Sequence, residues 1–428
     1  MSADRKQLDG INLTSEYNST WNCSNDYCLS DDDYMSLIES YITTLNEYEW
    51  ALVVMHALVF FVGLIGNALV CLAVYRNHSM RTVTNYFIVN LALADFLVIL
   101  FCLAPTVIWD VTETWFMGEK LCKIILYIQT VSVSVSVLTL TFISADRWYA
   151  ICHPLKFKST TSRAKTAIVV IWIVSLVFDI PDLVVLETKP NRHLSVETIY
   201  FMQCTQSWDR KSEMTFLILK ILLLYTLPLI FMSITYFQIV RVLWKGDNIP
   251  GHQERKLYSQ DLSGLAHVNS RRTALALNAN FTTESQLRSR RKAAKMLVAV
   301  VIMFAVCYFP VHLLDILRFT VKIPQTTLTA SVAMLSHWMC YANSAVNPII
   351  YNIMSEKFRR EFHHAFGSWC SCFFNKLSNV RRSRGNCSPT VQNSAYVCRY
   401  VHLVLQTFPA KHSEKNEDFS QNTIQLSS

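Results

Sequence analysis

Asp95 demands a chemical explanation first. It stands in the middle of an apolar run, NLALADFLVIL. A carboxylate at the centre of a membrane costs about 2.5–3.5 kcal/mol even on the gentlest scales, so it must face a protein interior and find partners there. Other apolar runs supply them: Asn67, Ser136, Asn343, Ser344 and Asn347. An acid ringed by Ser and Asn oxygens suits a monovalent cation or a proton. The same residues could equally form a hydrogen-bond network that only glues helices together. Asp146-Arg147-Trp148 closes a later run. It reads either as a surface ion pair of little worth or as a latch whose arginine is exposed in one state only. Pro105, Pro181, Pro228, Pro310 and Pro348 interrupt five runs. Each removes a hydrogen bond and kinks its helix, which gives either shape or a pivot. An intramembrane enzyme would need a nucleophile–base pair or two acids at one depth. Asp95 and Asp315 fall on opposite sides of the midplane by the span limits below, so they form no dyad, and the chain is read as not an enzyme.

The elements that must position these groups are membrane helices. The chain has 428 residues, of which 52% are hydrophobic and only 16% charged. With a mean hydropathy of +0.25, that points to several membrane spans. Seven stretches are each about long enough to cross a bilayer: 51–75, 86–109, 120–145, 166–187, 214–240, 294–318 and 328–352. The third and seventh are the least apolar. The fold class is therefore all-α, a seven-helix bundle over 51–353. A transporter, the rival from another class, predicts repeat symmetry between halves; no internal repeat is seen, and seven spans do not divide evenly. The 13 cysteines show no paired CxxC spacing of the zinc kind.

Basic residues gather after spans one, three, five and seven (Arg76 and Arg81; Arg147, Lys156, Lys158, Arg163 and Lys165; Lys245 to Lys292; Lys357, Arg359 and Arg360). The positive-inside rule makes these connections cytoplasmic and the N-terminus extracellular, in a plasma-membrane protein. The net charge of +8 then reflects topology and not nucleic-acid binding. The acidic tail 1–50 agrees with an outside location, as do its acceptor asparagines Asn12, Asn18 and Asn22. The same triplet at Asn77, Asn280 and Asn386 falls on the inner side, which shows how weak one match is. Within the tail, Leu37, Ile38, Tyr41, Ile42 and Leu45 recur at helical spacing after a candidate Asp33 cap. This helix is either a ligand platform or a stem. The connection 246–290 is polar, lacks periodicity and reads as largely disordered. Beyond Tyr351, Ser355 could cap an amphipathic surface helix over 354–368, with Phe358, Phe362 and Phe366 on one face. Cys370 and Cys372, in the cytoplasmic tail 369–428, are candidate palmitoyl sites. An apolar patch from Tyr396 to Phe408 has no reading.

GNALV at Gly66–Val70, LALAD at Leu91–Asp95, Asp146-Arg147, Trp172, Pro228, Pro310 and NPIIY at Asn347–Tyr351 follow one another, one set per span. The series resembles the rhodopsin-like G-protein-coupled receptors over about residues 50–370. EYEW, NHSMRTVTNYFIVNLALAD, ETWF, QTVSVSVSVLTL, DRWYAICHPLKFKST, CYFP and SHWMCYANSAVNPIIYN resemble the orexin and allatotropin peptide receptors more narrowly. The invertebrate allatotropin receptors come first.

The resemblance implies roles. Cys122 and Cys204 form a disulfide. Asp95, Ser136, Asn343 and Asn347 hold an allosteric sodium ion, with no other cofactor. Arg147 is freed on activation to meet Tyr236, Tyr351 and the G protein, while Tyr308 and Pro310 form a pivot and Asn347 and Pro348 belong to the same switch. Thr106, Asp110, Gln129, Val133, His337 and Tyr341 line a pocket for an amidated neuropeptide, whose neutral amide suits the donors and acceptors of Gln129, His337 and Tyr341. Partners are the peptide, a heterotrimeric G protein of the calcium-mobilising q class, arrestin, receptor kinases and membrane lipid. Neuropeptide Y or cholecystokinin-type receptors are the rival within the class. Two residues depart from the orexin pattern: Lys220 stands where an aromatic is expected, and Asp315 where Asn is. Isolated ions would be costly there, so the two are expected to pair across the pocket or to meet ligand charges. A lysine that snorkels to the surface is the plainer alternative.

Overall fold

The computed structural model describes residues 30–155, 160–190, 198–245, 270–321 and 326–365. The glycosylation asparagines Asn12, Asn18 and Asn22, Lys156, Lys158, Phe366, Cys370, Cys372 and the 396–408 patch lie outside them. The chain forms two units, Met1–Phe358 and Arg359–Ser428. Every span belongs to the first; the described part of the second is helical over 359–365.

Among the described residues, six helices are long and apolar enough to cross a bilayer: Glu47–Arg76, Val83–Thr112, Gly118–Cys152, Thr161–Val185, Arg210–Trp244 and Leu287–Thr320. A seventh, Thr327–Met354, is long enough but more polar. These are spans one to seven. Phe61, Val169, Ile173, Phe237, Ile302 and Phe309 point outward from the bundle, the face that a lipid chain would cover.

Local chemistry sets the span starts. Thr82, Thr160, Asp209 and Thr326 each accept the backbone N–H three residues on, at 3.2–3.4 Å, and so satisfy one of the donors that a helix start leaves free. The Ser212 hydroxyl and backbone N–H hold the exposed Asp209 carboxyl below its ordinary range. Gly118, at φ +72°, turns the chain into span three.

The prolines are accommodated in two ways. Ahead of Pro105 and Pro228 the helix widens into a π turn, Ile99–Leu103 and Leu222–Thr226, which absorbs the displaced carbonyl. At Pro348 the helix stays α, and the carbonyl it orphans, that of Ser344, is claimed by another span. Asn67 Nδ2 donates to it at 3.0 Å and to the Gly63 carbonyl at 2.8 Å. Spans one and seven can meet this closely because Gly63 and Gly66 lack side chains. A Cβ on Gly66 would stand 2.8 Å from the Pro348 ring. Spans two, three and four are tied by another chain of bonds: Trp172 Nε1 donates to Asn90 Oδ1, and Asn90 Nδ2 donates to Thr139 Oγ1, both at 2.8 Å.

Three features differ from the sequence reading or add to it. First, the span four–five connection has structure of its own. It carries an antiparallel hairpin, β1 (Leu186–Pro190) and β2 (Met202–Gln206), with Thr188 opposite Cys204. The Cys122–Cys204 disulfide, with Cα atoms 5.7 Å apart, staples β2 to the start of span three. Second, the polar connection is helical from Ser270, because the helix runs without a break from Ser270 to Thr320. Extending a formed helix through Ala- and Leu-rich sequence costs far less than starting one. Third, the N-terminal helix spans Asp31–Thr43 and is capped by Ser30, not Asp33. Ser30 Oγ accepts the Asp33 N–H, and the Ser30 hydroxyl donates to the Asp33 carboxylate at 2.6 Å. Its buried residues are Tyr34, Ile38 and Ile42, packed against Phe201 near the hairpin. After span seven, Ser355 precedes a helix over 356–365, and the Phe358 ring packs on Tyr351 at 5.6 Å.

Candidate functional site

A cavity of about 820 Å³ opens between the spans at the disulfide end of the bundle. Six of the eight expected pocket residues line it: Gln129, Val133, Lys220, Asp315, His337 and Tyr341. The other two stand behind the wall. Thr106 shares a 2.7 Å hydrogen bond with the Tyr341 hydroxyl, and the Asp110 carboxylate lies 2.8 Å from His337 Nδ1. Both therefore orient a lining residue. The Tyr308 ring, at 4.9 Å from Phe304, packs against the deeper wall.

The largely apolar cavity wall carries charged groups. Asp179, Asp182, Glu213 and Asp315 line it together with Arg210, Lys220 and Arg318. Gln129 Oε1 and His312 Nδ1 are buried and make no hydrogen bond. Such groups are costly to leave unmet, so a ligand that supplied donors would gain by filling them.

Lys220 and Asp315 do not pair. Lys220 Nζ lies 2.5 Å from Asp182 and 3.7 Å from Asp179, both in span four. Asp315 has Arg318 one turn along its own helix, at 3.9 Å. The lysine does not snorkel outward either; its ammonium is held inside, 4.6 Å from the Phe216 ring centroid. Sequence reasoning missed the partners. Asp179 and Asp182 sit three apart in FDIPDLVV, on one face of span four. Two acids at that depth were a signal in themselves.

Deeper in the bundle the buried Asp95 carboxylate accepts hydrogen bonds from Ser344 Oγ and Asn347 Nδ2, both at 2.8 Å, and Ser136 interacts with it as well. Of the expected ring, Ser136, Ser344 and Asn347 meet the acid, Asn67 bonds the Gly63 and Ser344 carbonyls instead, and Asn343 is buried in the same span as Asn347. Asn343 Oδ1 and Asn347 Oδ1 have no hydrogen-bond partner. The free Asn347 oxygen, on a residue bonded to the carboxylate, is the kind of acceptor a small cation needs.

At the opposite end Arg147 bonds its neighbour Asp146, with NH2 at 2.5 Å and Nε at 3.2 Å. The Trp148 indole donates to Gln238 Oε1 of span five at 2.5 Å. A second cavity, about 290 Å³, lies between Arg147, Tyr236, Arg290 and Ala294. Tyr351 and Tyr236 are buried on that side. Near Pro310, the Tyr225 hydroxyl donates to the Ala305 carbonyl at 2.8 Å, so span five supports span six at its kink.

The bundle thus has a wide cavity with charged groups in its wall at one end, a buried acid with its hydrogen-bond partners in the middle and an arginine-lined cavity at the other end. The family model described as 7 transmembrane receptor (rhodopsin family) matches residues 66–351. A QRFP-like peptide receptor from Branchiostoma floridae is 29% identical over 350 residues, covering 81% of this chain and 84% of that receptor. The narrower likeness to orexin and allatotropin receptors has no counterpart in this relative. The residues, the architecture and the extent of the family match lead to one placement: this chain belongs to the rhodopsin family of seven-transmembrane receptors.

Proposed function

We propose that the chain is a plasma-membrane receptor for an amidated neuropeptide of allatotropin or orexin type, activating a heterotrimeric G protein of the q class with calcium mobilisation. The observation that carries this reading is the 820 Å³ cavity, in which Gln129, His337 and Tyr341 offer hydrogen-bond donors and acceptors to a terminal amide. The similarity to a QRFP-like peptide receptor supports a peptide ligand and favours one alternative, a receptor for a different neuropeptide type. In the membrane the disulfide end faces outward with the N-terminal tail, and the Arg147 end faces the cytoplasm, as the basic connections demand.

Peptide binding shifts a population. It favours the active arrangement by its difference in affinity for the two states, and no further. Span six turns at Tyr308 and Pro310. Arg147 leaves Asp146 for Tyr236 and Tyr351, and the cavity beside Arg290 opens to the G protein, and to arrestin after receptor kinases act. Asp315 meets a charge on the ligand. Asp95, Ser136, Asn343 and Asn347 fit a sodium ion, whose charge would balance the buried carboxylate in the resting state. The helix over 356–365 lies on the membrane surface, anchored by palmitate at Cys370 and Cys372, and the outer tail is glycosylated at Asn12, Asn18 and Asn22.

The test is intracellular calcium in cells expressing the chain. They are challenged with allatotropin-type, orexin-type and QRFP-type peptides, each in amidated and free-acid form. A response to one amidated peptide that its free acid does not give supports the receptor reading and the amide pocket. Equal potency of the two forms removes the amide pocket. Silence towards the whole panel, with the protein present at the cell surface, removes the ligand assignment or the coupling, and peptide binding to membranes separates the two.

A further inference from the structure

We infer that Asp179 and Asp182 form a cation subsite in the cavity wall, filled at rest by Lys220 as a tethered counter-ion, and that a basic group of the ligand enters it by displacing the lysine. The inference deepens the peptide-receptor reading and, for its peptide arm, rests on it.

The cluster joins three spans. From span three, Ser134 Oγ donates to Asp179 Oδ2 at 2.7 Å and Thr130 Oγ1 donates to Asp182 Oδ2 at 3.0 Å. From span five, Lys220 reaches the same Asp182 oxygen at 2.5 Å. Two carboxylates thus face one ammonium, and the cluster keeps a residual negative charge. The Asp179 side chain is fully buried and Asp182 is 4% exposed, whereas Lys220 is 18% exposed. The lysine is therefore the face that the cavity sees. Asp179 Oδ1 is 3.7 Å from the ammonium and makes no hydrogen bond, and Gln129 Oε1, one residue before Thr130, also makes none. The occupant leaves two acceptors of the cavity wall unserved. An ammonium has three donors and a guanidinium five, set in a planar fork that matches a carboxylate. The Phe216 ring, 4.6 Å from Nζ, favours a cation at this place whichever molecule brings it. Lysine's four-carbon stem can swing out, because only its end is fixed.

The first experiment needs no peptide. Purified receptor carrying Lys220→Ala is heated in the presence of n-butylammonium, n-butylguanidinium or n-butanol. The two cations should raise its Tm saturably, the alcohol should not, and the response should vanish in Lys220→Ala/Asp182→Asn. Equal responses to amine and alcohol, or a response that survives in the double variant, overturn the subsite. If Lys220→Ala does not fold, Lys220→Ala/Asp179→Asn keeps the native residual charge and takes its place. The second experiment uses the peptide found active in the calcium screen, with each basic residue replaced in turn by norleucine. One replacement should lower potency on the wild type by roughly tenfold or more, the value of a charge-assisted hydrogen bond, and change little on Asp182→Asn. Strictly additive losses overturn the ligand's entry. A silent screen leaves the Tm experiment standing on its own.

Discussion

Replacing Asn67 tests how the bundle satisfies a broken helix. Pro348 has no N–H, so the Ser344 carbonyl loses its helical donor. Asn67 Nδ2 supplies one at 3.0 Å, and the asparagine is completely buried. Its other bond, 2.8 Å to the Gly63 carbonyl, duplicates one the helix already makes. Asn67→Ala therefore orphans one carbonyl. An unmet buried acceptor costs about 1–3 kcal/mol, while hydrogen bonds inside membrane bundles average about 0.6 and reach about 1.7 kcal/mol. A loss of about 1–2 kcal/mol is expected, read as a lowered Tm of purified receptor. The decisive variant is the second one. Pro348→Ala returns an N–H to the Ser344 carbonyl, so Asn67→Ala should cost about 1 kcal/mol less on that background. Losses that add within about 0.3–0.5 kcal/mol, the usual scatter for independent sites, would refute the account. Asn67 would then act by packing alone.

Gly66→Ala should destabilise more than Gly63→Ala. Its Cβ meets the stiff Pro348 ring at 2.8 and 2.9 Å, whereas the nearest atom to a Gly63 Cβ is the movable end of Ile99. About 1–3 kcal/mol is expected at Gly66 and close to zero at Gly63, where the roughly 1 kcal/mol helix preference of Ala offsets the contact; paired Tm measurements check the order. Cys204→Ser should cost about 2–5 kcal/mol, because the bridge spans 82 residues of sequence. Surface labelling of intact cells should show the protein retained inside. Trp172→Phe removes the donor to Asn90 and should cost about 1 kcal/mol or somewhat more, measured by the same melts. A variant as stable as the wild type would mean that Asn90 finds another partner.

Much of this architecture is legible in the sequence because lipid permits so little else. Helices must span, and their polar residues must turn inward, so Asp95, Asn343 and Asn347 announce a shared interior before any coordinate is known. The span limits come out short by several residues at most ends. Hydropathy stops at the first charged residue, while backbone hydrogen bonding continues to the cap, as at Thr160 and Asp209. The pairing of Lys220 was illegible for another reason. Sequence shows that a buried ammonium needs a carboxylate, but which one depends on how spans four, five and six are rotated, and Asp315 was the more conspicuous candidate. The hairpin was hidden because its strands are five residues each, too short for alternation to stand out. The Ser270 extension was hidden because the helix there is propagated from span six and not demanded by its own pattern.

The π turn at Ile99–Leu103 changes how span two tolerates insertions and deletions. Each α-helical residue advances the chain by about 100°, and a π turn holds one residue more than an α turn. The two halves of the span are therefore out of phase with a single wheel. The inner half aims Asp95 at the acid ring, and the outer half aims Thr106 and Asp110 at Tyr341 and His337. Losing one residue here would let the turn relax to α while the outer half keeps its facing, because the residue removed is the one the turn had absorbed. The same loss in a plain α stretch would swivel everything beyond it by about 100°. A single-codon deletion at this spot should thus spare both the cavity's floor plan and the ring below it. The turn at Leu222–Thr226 gives span five the same tolerance, so these two turns are where such a bundle can shed a residue without re-aiming its side chains.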